Sequence, residues 1–230
     1  MQIYGLQKMT VLDYPGHVAC TIFTGGCDLR CPFCHNFELA DGTAEPLMDE
    51  TELLAFLRKR TGLLDGVAVT GGEPCLQKGL PSLLEKIKEL GFLVKLDTNG
   101  LHPQMLGEML DRQLVDYAAV DIKNAPEKYA LTSGVREVRL EKLRESIGLL
   151  EKSGIDHEYR TTVVKEFHEE NDFHGIGSLI RGAEKYFLQS FTDRDTVPFE
   201  GLHAPEKAEL EKYRQIMLGY VKNAAIRGVD

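Results

Sequence analysis

The chain has 230 residues, 43% of them hydrophobic, a formal net charge of -9 and a pI near 5.3, which supplies core enough for one large α/β domain or two small ones. With that acidity and no Lys/Arg stripe, a sequence-independent grip on nucleic acid is not expected, because basic side chains must neutralise the phosphates. No apolar run approaches the roughly 20 residues that span a bilayer, and Met1 to Gly16 lacks the charged start and apolar core of a secretory signal, so the expected location is cytoplasmic, with no membrane partner.

Residues 1–17 read as a leading segment ending in Asp13-Tyr14-Pro15-Gly16, which is turn chemistry. The first strand is Val18 to Phe23. Thr24-Gly25-Gly26 breaks it and delivers the loop Cys27-Asp28-Leu29-Arg30-Cys31-Pro32-Phe33-Cys34. A helix over about Asp49 to Arg60 opens with a capping signal, Asp49 followed by Glu52. Val67 to Thr70 is a buried strand running into Gly71-Gly72-Glu73-Pro74. The helix from Pro81 to Leu90 aligns Leu80, Leu83, Leu84, Ile87 and Leu90 on one face, and Gly91 closes it. Phe92 to Leu96 is a strand ending in Asp97-Thr98-Asn99-Gly100, and Pro103 to Arg112 is a helix. Tyr117 to Val120 is a strand ending in Asp121-Ile122-Lys123, and 124–139 reads as a polar connection. Leu140 to Ser153 is a helix capped by Gly154, His157 to Val164 is a strand carrying Arg160, and a weaker helix spans about Asp172 to Gly182. Tyr186 to Phe191 is the sixth strand. Residues 192–204 look irregular, Pro205 to Tyr220 is a Glu/Lys-rich helix, and Asn223 to Gly228 forms a short last strand.

This alternation makes the strands parallel, with right-handed crossovers. The expected fold is α/β, a partial (βα)6 parallel barrel or strongly curved sheet, in one domain over 1–230 with 192–230 as a C-terminal extension. Four strand ends carry polar or Gly-rich tetrads, and those ends face the same way, which is where parallel α/β folds place their sites.

Five cysteines in a reducing compartment indicate metal or redox chemistry rather than disulfides. Cys27, Cys31 and Cys34 stand at spacings that let three thiolates converge on one iron–sulfur cluster. Four-iron clusters usually take four cysteines, so three leave one iron open to a substrate. The competing reading is a closed zinc site with His35 as fourth ligand, although a structural zinc does not need four converging strand ends. Cys20 reads as a buried small hydrophobe. Cys75 is either a further ligand, a redox partner or a neutral neighbour. Asp97 and Asp121 could merely cap helices, Arg160 could be a structural ion pair, and His168 and His174 lie in a polar stretch expected to be solvated.

Cys-x3-Cys-x2-Cys followed by Gly-Gly-Glu-Pro on a strand end resembles the radical S-adenosylmethionine (SAM) superfamily. Asp13-Tyr14-Pro15-Gly16, Cys34-His35-Asn36, Asp97-Thr98-Asn99-Gly100 and Asp121-Ile122-Lys123 narrow the likeness to the glycyl-radical-enzyme activases. The chain is most similar, over nearly its whole length and including Ile226-Arg227-Gly228, to those that serve anaerobic ribonucleoside-triphosphate reductase. The resemblance implies a partial barrel of radical SAM type in which Cys27, Cys31 and Cys34 ligate a [4Fe-4S] cluster and SAM chelates the fourth iron. The reduced cluster would split SAM, and a 5′-deoxyadenosyl radical would take a hydrogen atom from a backbone glycine of a partner. That partner would be the reductase large subunit, and the electron donor a flavodoxin or ferredoxin.

The resemblance also distributes roles. Phe33, Cys34 and His35 would offer an aromatic face and backbone groups to the adenine. Gly71 and Gly72 would let the backbone approach the ligand closely, and Glu73 would add a carboxylate or fix the turn. Thr98 belongs to the same cofactor set. Asp97 and Asp121 would help hold a small monovalent cation near SAM, Lys123 and Arg160 would balance the SAM carboxylate, and Asp13 would lie near the target glycine loop. The alternatives are the activase of another glycyl-radical enzyme, a small radical SAM enzyme acting on a metabolite or peptide, and a zinc or iron–sulfur interaction module.

Overall fold

A computed structural model describes residues 1–228; positions 229 and 230, the last of the expected domain, lie outside the described residues. The chain begins with β1 (Gln2–Ile3) and β2 (Gly5–Thr10), turns through residues 11–18 and enters β3 (Ala19–Thr24). The cysteine loop and a short α1 (Phe37–Asp41) follow, then β4 (Met48–Asp49), which pairs antiparallel with β1. From there helix and strand alternate as α2 (Glu50–Arg58), β5 (Gly66–Gly71), α3 (Leu80–Glu89), β6 (Leu93–Thr98), α4 (Pro103–Asp111) and β7 (Tyr117–Asp121). A short α5 (Tyr129–Thr132) precedes α6 (Leu140–Ser153), β8 (Asp156–Val163), α7 (Glu170–Leu179), β9 (Lys185–Ser190), α8 (Lys207–Met217) and β10 (Asn223–Arg227).

The local causes are visible in the caps. Asp49 and Glu52 close a reciprocal capping box at the start of α2, and Glu206 with Glu209 does the same for α8. Gly154, at φ 74°, ends α6 in the left-handed conformation that a side chain would disfavour. On α3, Leu80, Leu83, Leu84 and Ile87 are fully buried, each such burial stabilising the fold by roughly 1.5–3 kcal/mol.

The main sheet has eight strands in the order β10-β9-β8-β7-β6-β5-β3-β2, parallel throughout except for the antiparallel β2–β3 pair. Period-two alternation splits it into two faces. Val94, Leu96, Val120, Tyr159 and Val163 enter the apolar core with the helices. Lys95, Asp97, Asp121, Arg160 and Thr162 take the opposite face. Residues of β2, β3, β5, β6, β7, β8 and β9 line one cavity, so the sheet curls around it as a partial barrel. Its edges, β2 and β10, do not bond each other.

Three expectations change. The leading segment is part of the sheet: β2 covers the edge of β3 and carries Gln7 into the cavity. The last strand extends the parallel set on β9, so seven strands run parallel where the alternation indicated six with a terminal addition. The stretch 124–139 is more than a polar connection. Tyr129, Thr132, Ser133 and Asn124 are buried, and the Asn124 amide bonds the Thr132 hydroxyl at 2.8 Å and the Phe167 carbonyl at 2.9 Å. Polar side chains such as Asn124 and Thr132, paired inside, leave no periodic apolar signal.

Edge strand β10 is tied in by a buried charge. Arg227 binds both oxygens of Glu158 at 2.7 and 2.9 Å, and the Tyr117 hydroxyl donates to the same carboxylate at 2.7 Å. Glu158 is 1% exposed. Arg227→Ala leaves that carboxylate without a counter-charge and is expected to lower unfolding free energy by about 3–5 kcal/mol, read from urea denaturation; an unmoved midpoint would refute the role of the pair.

Candidate active site

The cysteine loop is held from several strand ends at once. The Gly72 amide donates to the Thr24 carbonyl at 2.9 Å and the Glu73 amide to the Gly26 carbonyl at 2.7 Å. A β-carbon at Gly72 would sit 2.0 Å from the Gly26 oxygen, and one at Gly71 (φ +122°) 2.3 Å from the Thr24 nitrogen. The paired glycines therefore let β5 press its backbone against the base of the loop, and both also line the cavity. Asp28 accepts from Asn99 Nδ2 at 2.8 Å and pairs with His102 at 3.0 Å, tying the loop to the end of β6. The Arg30 amide donates to the Ser133 carbonyl at 2.9 Å, and a β-carbon at Gly134 would lie 1.9 Å from the Arg30 oxygen. On the far side His35 bonds the Thr192 carbonyl at 2.6 Å and stacks on Phe191.

Glu73 braces this arrangement. Its carboxylate accepts from the Thr98 hydroxyl (2.7 Å), the Asn99 amide (2.7 Å) and the Cys75 amide (3.0 Å). Burial pushes its carboxyl pKa up, and those three donors oppose the shift. Both Glu73 and Thr98 thus spend their polar atoms joining the ends of β5 and β6.

Cys27, Cys31 and Cys34 line a cavity of about 490 Å³. Burial pushes the Cys27 thiol up to about 12 and the Cys31 thiol to about 11, and raises that of Cys34. Such thiolates persist only beside positive charge, and iron binding supplies it while displacing the protons. The Leu29 amide points at Cys27 Sγ, 3.4 Å away, the kind of contact that tunes a cluster. Three soft donors on one loop fit a four-iron cluster with an open iron. A single zinc fits less well: His35 is committed to Thr192, and among the described residues no three His, Cys, Asp or Glu side chains gather closely enough to hold one metal ion. Cys20 is buried in the apolar core, and Cys75, 4% exposed, stands outside the cavity lining.

On the inner face of β6, β7 and β8, three cations interlock with two carboxylates. Lys95 Nζ contacts Asp97 Oδ1, and Arg160 Nη2 lies 3.0 Å from Asp97 Oδ2. Arg160 Nε lies 2.5 Å from Asp121 Oδ1, and Lys123 Nζ 2.9 Å from Asp121 Oδ2. Burial alone would raise the Asp121 carboxyl, yet Arg160 and Lys123 hold it well below the usual carboxylate range. Burial likewise opposes the charge of Lys123, and Asp121 outweighs it. Arg160 and Lys123 line the cavity together with the two carboxylates, whereas Lys95 stands outside its lining.

Every residue that the sequence marked for the site lines this cavity: Asp13, the three cysteines, Phe33, His35, Gly71, Gly72, Glu73, Asp97, Thr98, Asp121, Lys123 and Arg160. His168 is 4% exposed rather than solvated, and its Nε2 meets the Lys123 carbonyl at 2.9 Å, so it supports the strand end that carries Lys123. His174 is exposed as expected. Sequence reasoning passed over Lys95, Thr162 and Gln189. Lys95 precedes Asp97 by two and Thr162 follows Arg160 by two, so strand alternation alone puts each on the face of its marked neighbour.

Such a loop of three cysteines at the strand ends of a partial barrel defines a class. The family model described as the radical SAM superfamily matches residues 21–174, and the chain belongs to that superfamily, whose members are enzymes that use a [4Fe-4S] cluster and SAM. Among relatives, the chain is 31% identical over 239 residues to the "Putative glycyl-radical enzyme activating enzyme" of Methanocaldococcus jannaschii, covering 99% of this chain and 96% of that protein. It is 30% identical over 210 residues to the 7-carboxy-7-deazaguanine synthase of Thermococcus kodakarensis, covering 83% and 78%. In fold it is similar to Streptococcus suis SuiB bound to S-adenosylmethionine, with a TM-score of 0.69 at 15% identity over 89% of this chain and 49% of that one, so it spans about half of SuiB.

Anaerobic reconstitution is expected to load about four irons and four sulfides per chain, and Cys31→Ala to lose most of both together with the cluster's visible absorption. Gly72→Ala, which forces the loop off the end of β5, should load several-fold less iron. Gly107→Ala, whose β-carbon meets only the Leu149 side chain at 3.6 Å, should load normally; equal loading of the two glycine variants would overturn the packing argument.

Proposed function

We propose that this chain is a glycyl-radical-enzyme activase acting on the large subunit of anaerobic ribonucleoside-triphosphate reductase, with a flavodoxin or ferredoxin as its cytoplasmic electron donor. The shape of the cavity carries this reading. It runs from the cysteine loop at one end of the strands to Asp13 beside the start of β3, inside a sheet whose edges stay apart. An open side admits an extended protein loop, and the near full-length likeness to an activating enzyme points the same way.

Cys27, Cys31 and Cys34 would hold the cluster, which would supply the electron for reductive cleavage of SAM. The chain's own groups do the rest. Arg160 and Lys123, both in the cavity lining, present cationic nitrogens to the SAM carboxylate. Phe33, 5% exposed and packed at 6.0 Å on Phe167, offers a fixed aromatic wall beside the cysteines. The Gly71 carbonyl, which has a 3.4 Å contact from Asn36, has capacity to accept from the SAM amino group. Asp13 Oδ2 accepts from Thr21 at 2.6 Å, which aims the carboxylate along the cavity and leaves Oδ1 for an amide of the incoming loop.

The likeness to the deazaguanine synthase favours a second reading, in which the same cavity takes a small molecule. The deciding experiment mixes the reduced, cluster-loaded protein with SAM and the purified reductase subunit and records electron paramagnetic resonance. A glycyl radical that requires all three cysteines supports the activase. SAM cleavage with a silent reductase, or formation of 7-carboxy-7-deazaguanine, would replace it. Asp13→Asn is expected to lower radical yield on the partner about tenfold, the scale of one charge-assisted hydrogen bond, while SAM cleavage without partner stays unchanged.

A further inference from the structure

The resemblance that places Asp97 and Asp121 beside SAM also implies a small monovalent cation held by them, and the residues of this chain do not fit one. All four oxygens of the two carboxylates already face a cationic nitrogen: Lys95 and Arg160 on Asp97, Arg160 and Lys123 on Asp121. The place between the two carboxylates is taken by the Arg160 guanidinium, with Nη2 toward one and Nε toward the other. Strand register puts it there, since Arg160 is the direct partner of Asp121 across β7 and β8. Side-chain exposures of 14% for Arg160 and 3% for Lys95 show that neither arrangement is a loose surface pair. The nearby Glu158 does not draw Arg160 away, because Arg227 and Tyr117 occupy both of its oxygens.

We propose that Arg160 is the resident cation of the SAM site, a tethered guanidinium standing where an inorganic ion would bridge Asp97 and Asp121, with Lys95 completing the neutralisation. A planar fork with fixed donors suits two carboxylates on adjacent strand ends, and it cannot deprotonate or wash out. Expelling it for sodium or potassium would leave a buried guanidinium unpaired, which costs far more than one hydrated ion gains. SAM binding and cleavage by this protein are therefore indifferent to sodium and potassium. The inference rests on SAM binding, a property of the superfamily, and not on the identity of the partner, so it stands or falls separately from the activase reading.

The test compares the cluster-loaded protein in potassium, sodium and tetramethylammonium chloride at equal ionic strength, reading SAM affinity and 5′-deoxyadenosine yield. Wild type should change less than about twofold across the three salts. Arg160→Ala should bind SAM about tenfold more weakly in tetramethylammonium, the scale of losing a charge-assisted contact, and regain several-fold in potassium or guanidinium. Lys95→Met, which keeps Arg160, should acquire a milder form of the same requirement and serves if Arg160→Ala does not fold. A readout independent of turnover is anomalous scattering from crystals grown in rubidium: no peak between Asp97 and Asp121 in wild type is expected. Saturable stimulation of wild type by potassium, a rubidium peak between the two carboxylates, or a folded Arg160→Ala that no cation restores would each overturn the proposal.

Discussion

Backbone lies against backbone where β5 meets the cysteine loop, and the absence of side chains at Gly71 and Gly72 makes this possible. Two hydrogen bonds, from Gly72 to Thr24 and from Glu73 to Gly26, need that contact distance. With the base of the loop pinned there, its tip is reached by Asn99, His102, Ser133 and Thr192 from other strand ends. The anchors come from the ends of β5, β6, β7 and β9 or the segments after them, so the positions of three thiols are fixed from several parts of the sheet. A ligand loop built in this way is preorganised, and burial of its thiols means that metal, once bound, contributes to holding it.

The two faces of the sheet solve different problems. The outer face buries branched aliphatic residues under the helices and supplies the stability. The inner face is nearly the reverse: charges sit there at low exposure and are tolerated only because each finds a partner. Arg160 is central, since removing it in thought strips one counter-charge from both Asp97 and Asp121. With it in place, Arg160 and Lys123 are the cations of this network that an anionic or zwitterionic ligand meets on entering.

Access follows from the open sheet. Strand β2, supplied by the leading segment, covers one edge, and β10, tied down by Arg227 on Glu158, covers the other. Neither reaches its counterpart, which leaves the cavity open along its side as well as at the strand ends. Relatives that act on different substrates share this frame, and differences among them must lie in what stands at the opening: here Asp13 at one end and the segment after β9, with Arg194 in the lining, at the other.

What depends on local order is legible in the residues alone. Cysteine spacing, the Gly-Gly-Glu-Pro turn, helix faces such as that of α3 and caps such as Asp49 and Gly154 are short-range patterns. The alternation of strand and helix then orients the strand ends, so the residues that share the cavity could be chosen before the fold was known. Tertiary structure decided what depends on partners far apart in the chain. Gly71 packs on Thr24 and Gly72 on Gly26, 47 and 46 positions away, so the support they give the loop is invisible in local order. Likewise Asp97 and Asp121 face Arg160 instead of an open space because register aligns β8 with β7. His168 and Asn124 are buried because their polar atoms pair across distant segments. Hydropathy records only the cost of burying a polar group, whereas its stabilising partner appears only when the chain has folded.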